Sequence, residues 1–201
     1  MRAFLLFLAS LMATLLPIQA HAQLKVLASI EPLAMLAREL LGDQAQVQTL
    51  MLPSQNPHFA SFTPGQLRKL EQADVIVWLG AEAEPHAAGI IERVSTPQLS
   101  LLSLDGIYRL EGTGHGHADE ADHTSHGSHT LSLDQHLWLA PDNMSRLASA
   151  LVAKLVQQEL VAADQLTAVH RRFEERMMVI SDEVRALLAP LSHLSYLSHH
   201  D

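Results

Sequence analysis

The chain has 201 residues, 48% hydrophobic and 17% charged, which supplies a core for a domain of ordinary size and excludes disorder throughout. A net charge of −9 with histidine neutral lacks the basic footprint that nucleic-acid binding requires. Histidine, at 13, equals Lys plus Arg, and cysteine is absent. A soft-metal site must therefore use imidazole and carboxylate, and disulfides and cysteine lipid anchors are excluded.

Met1-Arg2 opens a basic segment, Ala3 to Leu16 is apolar, and Ala20-His21-Ala22 has the small-x-small form of a signal-peptidase site. Residues 1–22 thus read as a cleavable export signal, with the mature chain starting at Gln23. Leu24 to Ile30 reads as a strand, and Glu31-Pro32 opens a helix through Leu33 and Leu41 that Gly42 stops. Val47 to Leu52 is a second strand, followed by a polar loop, Pro53 to Phe62, that holds His58. Thr63-Pro64-Gly65-Gln66 has capping-box form ahead of a helix with Leu67 and Leu70. Asp74 to Gly80 reads as a strand, Pro85 to Val94 as a helix and Leu99 to Leu104 as a further strand. Strands alternating with helices, with nearly continuous apolar strand sequences, imply an α/β lobe with a parallel sheet covered on both faces. Ligands of such sheets sit outside the carboxyl ends of the strands, where His58 falls.

Residues 112–130 include GTGHGHADEADHTSHGSH, which has no apolar period and reads as a flexible insert. Leu133 to Leu139 is a strand candidate ending at Pro141, and Met144, Leu147, Leu151 and Leu155 then recur at helical spacing. Leu166, Val169, Phe173, Met177, Ile180, Val184 and Leu187 form one stripe on a helix of about 23 residues, roughly 35 Å long. Pro190 ends it, and Tyr196-Leu197 could open another strand.

Three isolated histidines are candidate metal ligands, each with a plainer alternative. His58 could be a ligand or a surface loop residue. His136, set among Leu133, Leu137, Trp138 and Leu139, needs partners for its ring nitrogens, and a backbone carbonyl would serve as well as a metal. His200, between His199 and Asp201, suits a ligand whose second nitrogen a carboxylate holds, or a frayed terminus. In the insert, His115, His117, His123, His126 and His129 stand among Asp119, Glu120 and Asp122. They could collect Zn²⁺, Ni²⁺ or Cu²⁺ with little geometric selection, or simply form a solvated linker.

The stretches VLASIEPL, PSQNPHFASFTPGQLRKLEQADVIVWLG, the acidic His-rich insert, DQHLWLAPDN and LAPL…HHD, in this order, resemble the zinc-specific branch of the periplasmic metal-binding proteins that feed ABC importers. The resemblance covers Leu24 to Asp201. It implies an N-terminal metal-binding lobe over 23–160, a long inter-lobe helix over 161–189 and the start of a second lobe at 190–201, the remainder of which is missing here. It also implies Zn²⁺ as the transported ligand, an ABC importer permease as partner, a periplasmic monomer, and no enzyme activity. The family's histidine ligands correspond to His58, His136 and His200, with His199 the alternative to His200; a carboxylate from the second lobe would face the metal.

Three imidazoles would hold Zn²⁺ at about 2.0 to 2.1 Å and leave a fourth position open. A manganese or iron carrier of the same fold is the nearest alternative, disfavoured by the third histidine because manganese prefers oxygen. A periplasmic zinc buffer without a transporter is a further reading. A three-histidine zinc hydrolase lacks a general base in a motif such as H-E-x-x-H.

Overall fold

The computed structural model describes residues 23–52, 55, 61–112 and 132–195. In chain order the elements are β1 (Leu24–Ala28), α1 (Glu31–Leu41), β2 (Ala45–Thr49), α2 (Pro64–Gln72), β3 (Val75–Trp78), α3 (Pro85–Ile91), β4 (Gln98–Ser100), β5 (Glu111–Gly112), β6 (Ser132–Leu133), α4 (Pro141–Gln157) and α5 (Ala163–Leu188). The first four strands form one sheet in the order β2-β1-β3-β4, with every pairing parallel. The expected α/β class holds, and its physical cause is visible in β1 and β3. Val26, Ala28, Val75 and Val77 point into one core with residues of α1, α4 and α5, whereas Leu27, Ile76 and Trp78 point into a second with Leu70 of α2 and Ala87 and Ile91 of α3. A strand buried on both faces cannot alternate apolar with polar, so its sequence is a continuous apolar run.

Several bounds differ from the sequence reading, with β1, β3 and α3 ending short at Ala28, Trp78 and Ile91, and three differences have a visible cause. β2 starts at Ala45, not Val47, because its register against β1 runs from Leu24↔Ala45 to Ala28↔Thr49. The Leu99–Leu104 strand shrinks to β4, since a 3₁₀ turn at Leu101–Ser103 swings Leu101 into full burial. The strand expected over Leu133–Leu139 is absent beyond Leu133. There the Asp134 carboxylate accepts the His136 amide at 2.9 Å, and a 3₁₀ turn over Leu137–Leu139 follows. A side chain that bonds its own backbone two residues on competes with the ladder and turns the chain.

The capping box is realised and then extended. Gln66 N–H donates to Thr63 Oγ1 at 3.3 Å, and Thr63 N–H donates to Gln66 Oε1 at 2.9 Å. Gln66 is 3% exposed, and its Nε2 donates to the Leu50 carbonyl at 2.6 Å and to Gln55 Oε1 at 2.8 Å. Gln55 in turn accepts the Leu52 amide at 2.8 Å and donates to the Ser61 carbonyl at 2.8 Å. One buried carboxamide thereby fixes both shoulders of the segment that carries His58.

The stripe predicted on the long helix is buried only at its start. Leu166 is fully buried and Phe173 packs on the core, while Met178, Val179, Ile180, Val184, Leu187 and Leu188 are exposed, Leu187 at 73%. Arg176 pairs with Glu39 of α1 near the point where α5 leaves the lobe.

Replacing Gln66 with Ala should strip the cap of its return bond and leave the Leu50 carbonyl unpaired. A loss of about 2 to 3 kcal/mol in urea unfolding is expected, well above the roughly 0.5 kcal/mol typical of an exposed helix position.

Candidate functional site

Strand order reverses between β1 and β3, so the crevice above their carboxyl ends is the place where a doubly covered parallel sheet offers loop groups to a ligand. Of the predicted ligands, His136 is described; His58, His199, His200 and the insert residues His115, His117, His123, His126 and His129 lie outside the described residues. Among the described residues no group of three or more His, Asp or Glu side chains could hold a metal ion. The described part of the candidate site is therefore the surroundings of His136.

His136 lies between β6 and the Leu137–Leu139 turn. Its Nδ1 is 2.7 Å from Asp134 Oδ1, with the two side chains 27% and 24% exposed. The same Asp134 oxygen accepts the His136 backbone amide, so the carboxylate fixes both the turn and the ring. A carboxylate on one ring nitrogen orients the imidazole in the way that the outer partner of a metal-ligating histidine does. Trp138 packs edge-on against the imidazole, ring centres 5.2 Å apart at 60°. Tyr108, Leu110, Leu137, Leu139 and Ala140 complete with His136 and Asp134 a hollow of about 170 Å³.

Asn143 holds this corner from beneath. It is fully buried; its Oδ1 accepts the Tyr108 amide at 2.8 Å, and its Nδ2 donates to the Tyr108 and Leu137 carbonyls at 2.9 Å. The segment before the insert and the turn after His136 are thus joined through one side chain. The insert is also closed at its base. β5 pairs antiparallel with β6, Glu111 opposite Leu133 and Gly112 opposite Ser132, and the Asp134 amide donates to the Leu110 carbonyl at 3.0 Å. Gly112, read from sequence as the first insert residue, is the last residue of β5.

Sequence reading missed Glu84, because its role depends on where the fold brings it and no local pattern announces that. Its Oε2 accepts the Leu79 amide, just past β3, at 2.6 Å. The residue keeps some surface, but its carboxyl group is enclosed. Burial pushes the group up to about 7 from its ordinary 4.5, against the opposing pull of the Leu79 amide and the Ser29 hydroxyl. A carboxyl whose pKa is higher folded than unfolded binds more protons in the native state between those two values, so stability falls as pH rises from 4.5 to 7. Thermal midpoints of the chain should decline over that window, and Glu84→Gln should flatten the decline; an equal slope in both proteins would contradict the assignment.

Among the described residues no helix is long and apolar enough to cross a membrane. The chain is similar to the high-affinity zinc uptake system protein ZnuA of Yersinia pestis, 25% identical over 193 residues, which cover 90% of this chain and 61% of that protein. The protein of the same name from Paracoccus denitrificans is also 25% identical, over 98% of this chain and 67% of that one. Among solved structures, a crystal structure of ZnuA superposes with a TM-score of 0.69 at 23% identity, covering 84% of this chain and 61% of that chain. The periplasmic zinc binding protein TroA from Treponema pallidum gives 0.65 at 17%, covering 82% and 55%. Such structural likeness speaks for the fold. The chain spans about three fifths of the length of the Yersinia relative and of these solved structures. The pattern of the family described as zinc-uptake complex component A, periplasmic, matches residues 26–201, and the chain belongs to that family.

Proposed function

We propose that the chain captures Zn²⁺ in the periplasm through His58, His136 and His200, and that the metal is destined for the permease of an ABC importer. His136 carries the reading. Its imidazole is oriented by a carboxylate, as metal-ligating histidines characteristically are, in a chain of the zinc-uptake component family. The Yersinia and Paracoccus relatives are named as zinc uptake proteins, which favours zinc over manganese or iron. Residues 1–22 would direct export and be removed. Residues 23–160 would form the metal-binding lobe, 161–189 the inter-lobe helix and 190–201 the entry to a second lobe. The insert histidines would act as an auxiliary collector of low selectivity.

Metal is captured here rather than transformed: neutral imidazoles bind the ion, and no nucleophile or general base is required. Because each ligand must be deprotonated, affinity falls as pH drops through about 6.5.

Calorimetric zinc titration of residues 23–201 tests the reading, with manganese as control. One tight zinc site is expected, lost in His58→Ala or His136→Ala, retained when residues 112–129 are deleted, and weakened about 10- to 100-fold in Asp134→Asn. Weak multiple binding that disappears with the insert would overturn it.

A further inference from the structure

The helix layer on the Leu27 face of the sheet stops short of the edge strand. The register pairs Lys25 with Gln46 and Leu27 with Gln48, and alternate residues of a strand share a face, so these four side chains stand on one side. Leu27 and Leu50 join Leu70 of α2 in the second core. On β2, the outermost strand, the positions that would carry that core to the edge are the carboxamides Gln46 and Gln48. A hollow of about 280 Å³ is left there, with Leu27 in its floor and Lys25, Gln46, Gln48, Lys69 and Gln72 around it. Lys69 belongs to the last turn of α2, and the Asp74 amide that follows this helix donates to the Lys25 carbonyl at 2.8 Å. The hollow therefore lies at the amino end of the strands, away from the carboxyl-end crevice, and none of its residues lines the hollow of His136.

Its polar groups are uncommitted. Among the described residues the Lys25 and Lys69 ammonium groups have no carboxylate partner, and the Gln46, Gln48 and Gln72 side chains make no hydrogen bond to another residue. The Asp74 carboxylate accepts the Lys25 backbone amide at 2.7 Å, and Glu71 of α2 is exposed and outside the lining. Gln48 and Lys69 are half-buried, so they line a concavity rather than stand in bulk water. In a chain of net charge −9, two unpaired cations at one hollow invert the local sign.

We propose that this hollow binds a small polycarboxylate, with Lys25 and Lys69 taking its carboxylates and the three glutamines its remaining polar groups. An ammonium only donates, whereas a carboxamide both donates and accepts. The matching molecule therefore carries at least two anionic groups together with hydroxyls. Larger polyanions fit poorly: a lipid surface calls for a denser basic cluster, nucleic acid for more phosphate contacts, and the acidic chain repels both. The volume stands at the small end of ligand pockets, which begin near ~300 Å³. The proposal does not depend on zinc capture.

The test is a citrate titration of the metal-free chain at constant ionic strength, followed by ¹H–¹⁵N NMR; metal is excluded because citrate also chelates cations. Saturable shifts are expected at the Lys25, Gln46 and Gln48 amides and at the Gln46, Gln48 and Gln72 carboxamides. Lys25→Gln and Lys69→Gln should each weaken binding about three- to fivefold, and the double variant should abolish it. Gln48→Leu keeps the net charge but removes a polar wall, and should also abolish saturation without lowering the thermal midpoint. Shifts that rise linearly with citrate, an affinity that the double lysine variant leaves unchanged, or equal binding of inorganic phosphate would overturn the site. Zinc titration of the same variants should match the wild type whichever way the citrate result falls.

Discussion

Past the carboxyl ends of four parallel strands the backbone has no ladder left to bond to, and buried polar groups that go unpaired cost free energy. Three side chains meet that constraint here. Gln66 takes the Leu50 carbonyl and, through Gln55, both shoulders of the His58 segment. Asn143 takes Tyr108 and the Leu137 carbonyl, and Glu84 takes the Leu79 amide. Gln66 and Glu84 act just past β2 and β3, and Asn143 does the same for the backbone next to the His136 turn, so there satisfying the backbone and holding the candidate ligand are the same act. A cation site needs such rigidity, because imidazoles bind tightly only when their rings are already oriented.

The sheet was legible because burial on both faces leaves an unmistakable trace: DVIVWLG admits few other readings, and Thr63-Pro64-Gly65-Gln66 announces a helix start. Gln66 was legible only in half its role. Its return bond to Thr63 is local and belongs to the capping pattern, while its bonds to Leu50 and Gln55 depend on where the tertiary fold brings those residues. Asn143 and Glu84 were silent for the same reason. The segment around His136 was misread as a strand because its alternation is apolar enough for one, and the local competition from the Asp134 carboxylate decided otherwise. His136 was identified as a candidate from its apolar setting, and the structure supplies the carboxylate that orients it.

The long helix shows how a sequence can specify more than the described lobe uses. α5 is anchored by Leu166, by Phe173 and by the Arg176–Glu39 pair, then carries Met178, Ile180, Val184 and Leu187 into solvent. An apolar face of that extent normally has a partner. The chain covers 61% of the Yersinia relative, and the inter-lobe role proposed for α5 would account for a stripe running past the first core.

The central claim is that a carboxylate-oriented His136 binds zinc as part of an imidazole set. Zinc K-edge X-ray absorption on the chain carrying one equivalent of Zn²⁺, compared with His136→Ala, tests this most directly. The account predicts imidazole nitrogens at about 2.0 to 2.1 Å, with one fewer in the variant. An oxygen-dominated shell, or a spectrum that His136→Ala leaves unchanged, would contradict it.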